Sequence, residues 1–409
     1  FLWSKPLDFN QDIRPILSDK CFSCHGPDEH GRKADLRLDI EQEAKDTALM
    51  AIVSGNPDDS EMIYRIHSED EDELMPPPEI GKPLTQNEKR ILEQWIKEGA
   101  VWAEHWAYVD PIRHSQPKVI DSNWPTHWID QFTFADIKKN QVKPAPDADP
   151  ITLVRRLHFD LTGLPPKSQE VTNFATNPSP RAYVSQIDDL LASPHFGERM
   201  TAYWLDLVRY ADTVGYHGDQ PHNISPYRDW VINAFNQNMP FDQFTREQLA
   251  GDLLPGSTTQ QKVASGYNRL LQTTHEGGLQ IKEYDAIYAA DRVRNVSEVW
   301  MGATVGCAQC HDHKYDPYTI KDNYALAAFF ADIGDRGFNG NSLPTKRPPE
   351  IIIHNPENLA KIQHLQKEMN ALLPPANQKK FQEFQDRKNR LTSTLKKAKD
   401  KDKQDLQNR

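Results

Sequence analysis

The sequence predicts a mainly α-helical protein. Apolar residues recur at intervals of three and four along most of the chain, which is the spacing of one helix face. Strand-like alternation of apolar and polar residues is scarce. The clearest helix-start signal is Thr85-Gln-Asn-Glu88, because a Thr followed three residues later by Glu forms a capping box. Two helical domains and a C-terminal helical hairpin follow from these patterns.

The composition limits the classes of partner. The chain has 409 residues, enough for two or three domains, and a formal net charge of −11. That acidity argues against nucleic-acid binding, which needs a basic face, and favours a partner protein with a basic patch. No stretch of about 18 uninterrupted apolar residues occurs, so no transmembrane segment is predicted.

The first predicted domain covers residues 1–105. A helix over residues 8–20 tolerates Pro15 only in its first turn. A loop-rich middle contains the acidic run of residues 69–73, and the capping box then opens a closing helix that should stop near Gly99. One face of this closing helix carries Ile91, Leu92, Trp95 and Ile96.

Residues 106–149 show little periodicity and are rich in Trp, Pro and Asp. Exposing Trp124 and Trp128 would be costly, so this segment is predicted to be a linker packed over the surface. Residues 150–340 form a second helical domain, in which Val154, Leu157 and Leu161 share one helix face. Further helices are expected at residues 203–210, 227–235, 241–253, 283–304 and 324–333.

Residues 341–409 are predicted to be a charged helical hairpin with coiled-coil character, broken at Pro374-Pro375. Its apolar repeat consists of Leu359, Ile362, Leu365, Met369 and Leu372. The pattern is cut at Arg409, so we expect a further C-terminal region or a coiled-coil partner. Phe1 follows no initiator Met, which fits a secreted chain whose signal peptide has been removed.

The strongest signal is that all four cysteines fall in two C-x-x-C-H sequences, Cys21 to His25 and Cys307 to His311. Two thiols three residues apart can add to the vinyl groups of one haem, and the adjacent histidine then reaches the iron. Zinc binding by four cysteines and a redox dithiol are alternatives. Neither explains a histidine directly after both pairs. Two covalently bound haem c groups are therefore predicted.

For the first haem, His25 is the expected proximal ligand and Met75 the expected distal ligand. Met75 lies in a proline-stiffened loop between five acidic residues and three prolines, where a core-filling methionine is out of place. His/Met ligation raises the reduction potential relative to His/His ligation, which suits an electron carrier. His30 and His67 are the alternatives to Met75.

For the second haem, His311 is the expected proximal ligand, and the distal ligand stays open. The candidates are His217, which we prefer, His275, His222 and Met301. His217 and His275 lie in glycine-flanked loops that permit close approach to a cofactor. An open or water-filled position is the remaining possibility.

Polar residues near the second motif could be catalytic if that iron is open. The candidates are Asp312, His313, Asp316 and Glu276, as proton donors or metal ligands. The alternative, which we favour, is that they cap helices and bind haem propionates.

The N-terminal residues resemble the planctomycete-type cytochrome c domain, a small class-I-like fold. The matching segments are Phe9-Asn-Gln-Asp-Ile-Arg-Pro-Ile-Leu, Cys21 to Gly26, Leu36-Arg-Leu-Asp39, Gly55-Asn-Pro, Leu74-Met-Pro-Pro and Leu84-Thr to Gly99-Ala. Residues 150–337 resemble the uncharacterised domain that usually follows it, through Asp160-Leu-Thr-Gly-Leu-Pro-Pro166, Tyr227-Arg-Asp-Trp230, Glu247 to Pro255, Glu276-Gly-Gly278 and Cys307 to Pro317. The resemblance implies secreted, haem-bearing proteins and supports His25 and Met75 as ligands.

Three functions compete at this point. The preferred one is an extracytoplasmic or periplasmic dihaem cytochrome that transfers electrons between a redox partner and the second haem. The alternative is a haem-dependent oxidoreductase, such as a peroxidase or an oxidase of a sugar or other metabolite, with the second haem as its active site. The third is a structural or assembly protein, suggested by the coiled-coil tail.

Overall fold

The computed structural model describes residues 6–119, 127–216, 218–274, 278, 280–334, 350–353, 356–372, 374, 377–391 and 394. Across these ranges the fold is helical, and the one pairing of extended segments is an isolated bridge between Thr213 and Pro221. The mainly α-helical prediction is confirmed. The chain divides into two compact units, Phe1–Pro348 and Pro349–Arg409.

The N-terminal part of the first unit surrounds one hydrophobic core. Its elements are a π-helical turn at Phe9–Ile13, α1 at Arg14–Lys20, α2 at Phe22–His25, α3 at Glu41–Ala44, α4 at Glu61–His67 and α5 at Gln86–Lys97. Pro15 lies in the first turn of α1, and the predicted capping box opens α5. Trp95 of α5 is 1% exposed, packs on Phe9 and donates its indole N–H to the carbonyl oxygen of Val101, at 2.9 Å.

The remainder of the first unit is a helical assembly with a second core. Its helices are α6 at Trp128–Lys139, α7 at Pro150–Thr162, α8 at Ser168–Thr176, α9 at Pro180–Leu191, α10 at Pro194–Leu207, α11 at Ser225–Asn236, α12 at Phe241–Ala250, α13 at Thr259–Ala264, α14 at Ile281–Val296 and α15 at Ile320–Ala328. In this core the Trp204 indole N–H donates to both Tyr227 Oη and Gln248 Oε1, at 3.1 and 3.0 Å. These polar atoms are buried and hydrogen-bonded, so the network stabilises one packing arrangement.

Helices α10 and α11 cross at a point that only glycine allows. A Cβ added to Gly197 would lie 2.4 Å from the carbonyl oxygen of Ile232 and 2.6 Å from the side chain of Asn236. The backbone N–H of Gly197 also donates to Asn236 Oδ1 at 2.8 Å. The absence of a side chain therefore lets the two backbones approach closely.

Several helix boundaries differ from the sequence prediction for identifiable reasons. The helix expected over residues 283–304 is α14 followed by a π-helical turn at Ser297–Met301, which ends because Gly302 adopts the left-handed conformation. Helix α15 begins four residues before the predicted start, because Thr319 and Asp322 form a capping box.

The segment predicted as an aperiodic linker contains helix α6. His127 and Asp130 cap its start, and Phe134 is its buried anchor. Trp128 is 57% exposed, so the expectation that this ring packs over the surface is wrong. Trp124 lies outside the described residues.

The second unit contains α16 at Pro356–Leu372 and a helical stretch over residues 377–391. Its predicted apolar repeat is exposed, with Leu365 at 52% and Met369 at 50%. Coiled-coil pairing of this face stays a prediction. Among the described residues, none of the helices has both the length and the apolar character needed to cross a membrane.

Candidate functional site

Helices α1 and α2 bring the first C-x-x-C-H sequence onto a tight helical turn. Cys21 ends α1, and its carbonyl oxygen accepts hydrogen bonds from the backbone N–H groups of Cys24 and His25, at 3.0 and 2.8 Å. This turn places the two thiols three residues apart on one helical turn, as attachment to a single porphyrin requires.

A cavity of about 440 Å³ opens beside this turn. Cys21, Cys24, His25 and Met75 all line it, so the structure brings the predicted ligands of the first haem together. The rest of the wall is largely apolar and includes Leu36, Leu38, Leu49, Ala51, Met62, Ile66, Pro76, Pro77, Ile80 and Leu84. A volume of this size lies in the range of cavities that hold small organic ligands, and an apolar wall suits a porphyrin face.

Met75 lies in the cavity wall, on a loop that a backbone hydrogen bond holds in place. Its N–H donates to the carbonyl oxygen of Arg65 at 3.1 Å, and the Met75–Pro76 peptide bond is cis. The two alternative distal ligands, His30 and His67, are exposed and do not line the cavity. The geometry therefore favours Met75 over either histidine.

The buried polar groups of the cavity fit an iron ligand better than a zinc or dithiol site. The Nδ1 atom of His25 is buried and makes no hydrogen bond, and burial lowers the pKa of this imidazole, against a backbone group of Lys33 that raises it. Burial raises the pKa of the Cys21 thiol to about 12. A thiol this hard to ionise is a poor redox nucleophile. Across the described ranges, no three Cys, His, Asp or Glu side chains gather into a metal-binding cluster.

Two basic residues in the cavity wall were not predicted from the sequence. Lys20 is paired with Asp19 at 2.9 Å, and Arg65 with Glu61 at 2.8 Å. Each could bind a haem propionate. Lys20 directly precedes Cys21, a signal in the sequence, whereas Arg65 is brought to the cavity by the fold of α4.

The second C-x-x-C-H sequence lies at a 3₁₀-helical turn, Val305–Gln309. Cys307 lies within this turn and Cys310 directly follows it, and both residues are exposed. His311 is partly buried, and its Nδ1 lies 2.8 Å from the carbonyl oxygen of Asp312. That contact leaves Nε2 as the atom available to an iron. The residues present therefore fit a surface-attached haem.

The polar neighbours of the second motif are engaged in the fold. The Nδ1 atom of buried His313 accepts backbone hydrogen bonds from Tyr315 and Asp316, and its Nε2 lies 2.9 Å from Thr304 Oγ1. Asp312 Oδ1 accepts the N–H of Ile320 at 2.8 Å and so caps α15. These contacts agree with the alternative in which the polar residues cap helices. They leave no nitrogen lone pair of His313 free.

The distal candidates for the second haem are only partly described. His217, His275 and the catalytic candidate Glu276 lie outside the described residues. His222 is partly buried, and its backbone N–H donates to the carbonyl oxygen of Asp212 at 2.7 Å. Met301 is 52% exposed at the end of the π-helical turn. The distal ligand is therefore left open.

Comparison with known families identifies both parts of the chain. Residues 128–335, half of the chain, match the family PSCyt2, described as a protein of unknown function (DUF1549). The chain belongs to this family. Residues 21–79 match PSCyt1, described as Planctomycete cytochrome C. The DUF1549 match begins at Trp128, the first residue of α6, and so includes this helix.

The match to the cytochrome family contains Cys21, Cys24, His25 and Met75, which are the predicted haem-binding residues in the cavity wall. Residues 21–79 thus form a c-type cytochrome domain, and the family match implies covalently attached haem c in that domain. No curated protein matches the DUF1549 chain. No solved structure matches it either.

Proposed function

We propose that this DUF1549 protein is an extracytoplasmic dihaem c-type cytochrome that transfers electrons between a redox partner and a second haem centre. The observation that carries the proposal is the cavity in which both thiols of the first motif, His25 and Met75 meet. Bound haem supplies a one-electron redox centre. The chain's own residues attach it, ligate the iron and shield it from water.

The first site is suited to electron transfer rather than to substrate chemistry. His25 and Met75 approach from the wall of one cavity and would occupy both axial positions, leaving no position for a substrate. The apolar wall excludes water and favours the less charged state of the site, which raises the reduction potential.

The partner is proposed to carry a basic patch. The acidic run beside the Met75 loop is exposed at residues 69–72, while Glu73 accepts a hydrogen bond from Tyr64 Oη at 2.7 Å. Exposed charges at the edge of a redox site accelerate association with an oppositely charged partner, and salt screens them.

For the second centre, Cys307 and Cys310 would supply the thioether links and His311 the proximal ligand. His217 stays our preferred distal ligand, with His275 as the alternative. Two of the catalytic candidates, Asp312 and His313, already make the hydrogen bonds that shape the loop and α15. These contacts favour electron transfer over a haem-dependent oxidoreductase.

The proposal is tested by redox titration of the ferrous and ferric protein, with and without carbon monoxide. We expect two one-electron steps, and no carbon monoxide adduct at the first haem. A pyridine haemochrome count of one haem per chain would overturn the dihaem assignment. Turnover of peroxide or of a sugar at a carbon monoxide-reactive haem would overturn the electron-transfer role in favour of the oxidoreductase.

A further inference from the structure

The loop that follows the second motif is hydrogen-bonded to the N-terminal part of the chain. Arg14 Nη2 donates to the carbonyl oxygen of Tyr315 at 2.9 Å, a contact between residues 301 positions apart. Arg14 is the first residue of α1, the helix that ends at Cys21. Tyr315 lies four residues after His311. This contact therefore joins the two elements that carry the C-x-x-C-H sequences.

A second contact centres on Asp316. Its Oδ1 lies 3.3 Å from Nε2 of His105, whose Nδ1 accepts the N–H of Ala107 at 3.2 Å. Since Nδ1 accepts the hydrogen bond from Ala107, Nε2 is the ring nitrogen that faces the Asp316 carboxylate. The backbone N–H of Asp316 donates in turn to Nδ1 of His313 at 2.9 Å. Asp316 is thus fixed both to its own loop and to the N-terminal segment.

Aromatic rings form a third contact. Tyr108 Oη donates to Tyr318 Oη at 2.8 Å, with the rings edge to face and their centroids 6.1 Å apart. The Tyr318 ring lies 6.2 Å from that of His313, and the Tyr108 ring 5.1 Å from that of His105. Four rings therefore connect the N-terminal segment to the loop of the second motif.

The groups that make these contacts are partly buried, and two of them carry charge. The side chains of His105 and Asp316 are only 16% and 23% exposed. Burial lowers the pKa of the Arg14 guanidinium, and the Asp316 carboxylate is the largest opposing influence. Partly desolvated polar groups with specific partners fix orientation, since losing one partner leaves the other unsatisfied.

The interface is close to both motifs. Arg14 and Cys21 are separated by about 10 Å along α1, from the rise of an α-helix. Tyr315 and His311 can be at most about 14 Å apart, the length of four extended residues. Few residues thus separate the interface from either attachment site, so its rigidity is transmitted to both.

We propose that this interface holds the second haem-binding motif in one fixed orientation relative to the first, so that the two haems act as a single electron-transfer unit. Arg14 and Asp316 are its positioning residues. The inference rests on the proposed function, because it requires haem at both motifs. Parts of a chain move relative to one another by default unless an interface holds them.

The test compares the wild type with Arg14→Gln and Asp316→Asn. Arg246→Gln is the matched control, since Arg246 pairs with Asp242, at 2.6 Å, on the exposed face of α12. The haems are first counted by the pyridine haemochrome spectrum. Pulsed dipolar EPR between the two ferric irons then gives their distance distribution.

We expect a single narrow distribution in the wild type and in Arg246→Gln. In Arg14→Gln and Asp316→Asn the distribution should be at least about two-fold wider, as for parts released from an interface. The optical spectrum of each haem should stay unchanged, which separates a loss of positioning from damage to a haem site.

The outcomes distinguish the two claims. One haem per chain would overturn the proposed function, and this inference with it. Two haems with an unchanged, narrow distribution in both variants would overturn the inference alone. Should Arg14→Gln reduce the yield of folded protein, Tyr318→Phe removes one hydrogen bond, leaves both rings in place and carries the same test.

Discussion

Replacing Gly197 with alanine tests the close crossing of α10 and α11. The new Cβ would lie 2.4 Å from the carbonyl oxygen of Ile232, and a backbone atom cannot move away unless α11 shifts. Overpacking of this kind costs about 1–3 kcal/mol. Displacing Asn236 would also lose its 2.8 Å hydrogen bond to Gly197, about 1 kcal/mol. Alanine regains about 1 kcal/mol through its higher helix propensity.

The free energy of unfolding should therefore fall by about 1–3 kcal/mol, because the lost hydrogen bond and the gained helix propensity offset each other. Urea unfolding followed by far-UV circular dichroism measures it. Gly278→Ala is the matched control, because a Cβ there meets no atom of the described residues within 4 Å, and its effect should stay within about 0.5 kcal/mol. If Gly197→Ala proves as stable as that control, the two helices do not pack as described.

Three further predictions concern the ligand loop, the N-terminal core and a helix cap. Met75→Ala should open one axial position, so the first haem becomes high-spin and binds carbon monoxide, whereas Met50→Ala, outside the cavity wall, should leave its spectrum unchanged. Trp95→Phe should destabilise the N-terminal domain by about 1–3 kcal/mol, measured by thermal unfolding, because the smaller ring leaves a void at a core position that is 1% exposed and the Val101 carbonyl loses its donor. Hydrogen bonds from the Thr152 hydroxyl and from backbone N–H groups lower the pKa of Asp149, so its stabilisation is present above the unfolded pKa and lost as pH falls through the folded pKa. An NMR titration should find that lowered pKa, and Asp149→Asn should remove this acid-side loss of stability.

Local signals in the sequence predicted much of the fold. The capping box at Thr85 and the position of Pro15 fixed the start of α5 and the register of α1, because both act within one helical turn. Helix α6 was missed because its apolar residues form only a weak face around the single buried Phe134. Weak periodicity gives no sequence signal even when a helix forms.

The sequence predicted those residues of the candidate site that covalent attachment of haem requires. The C-x-x-C-H spacing requires neighbouring thiols and histidine, and the loop around Met75 is unusual enough to mark that residue. Arg65 and the contact between Arg14 and Tyr315 could not be foreseen, because they depend on the packing of residues far apart in sequence. For the same reason, the sequence offered several distal ligands for the second haem and no means of choosing among them.

The most direct test of the account is to isolate the proteolytic peptides that contain Cys21 to His25 and Cys307 to His311 from the mature protein and weigh each of them. The account predicts that both peptides carry the mass of one haem, bound through two thioether links, and absorb in the Soret region. Free thiols in the first peptide would contradict the assignment of the cavity. Free thiols in the second would reduce the protein to a monohaem cytochrome and remove the second redox centre.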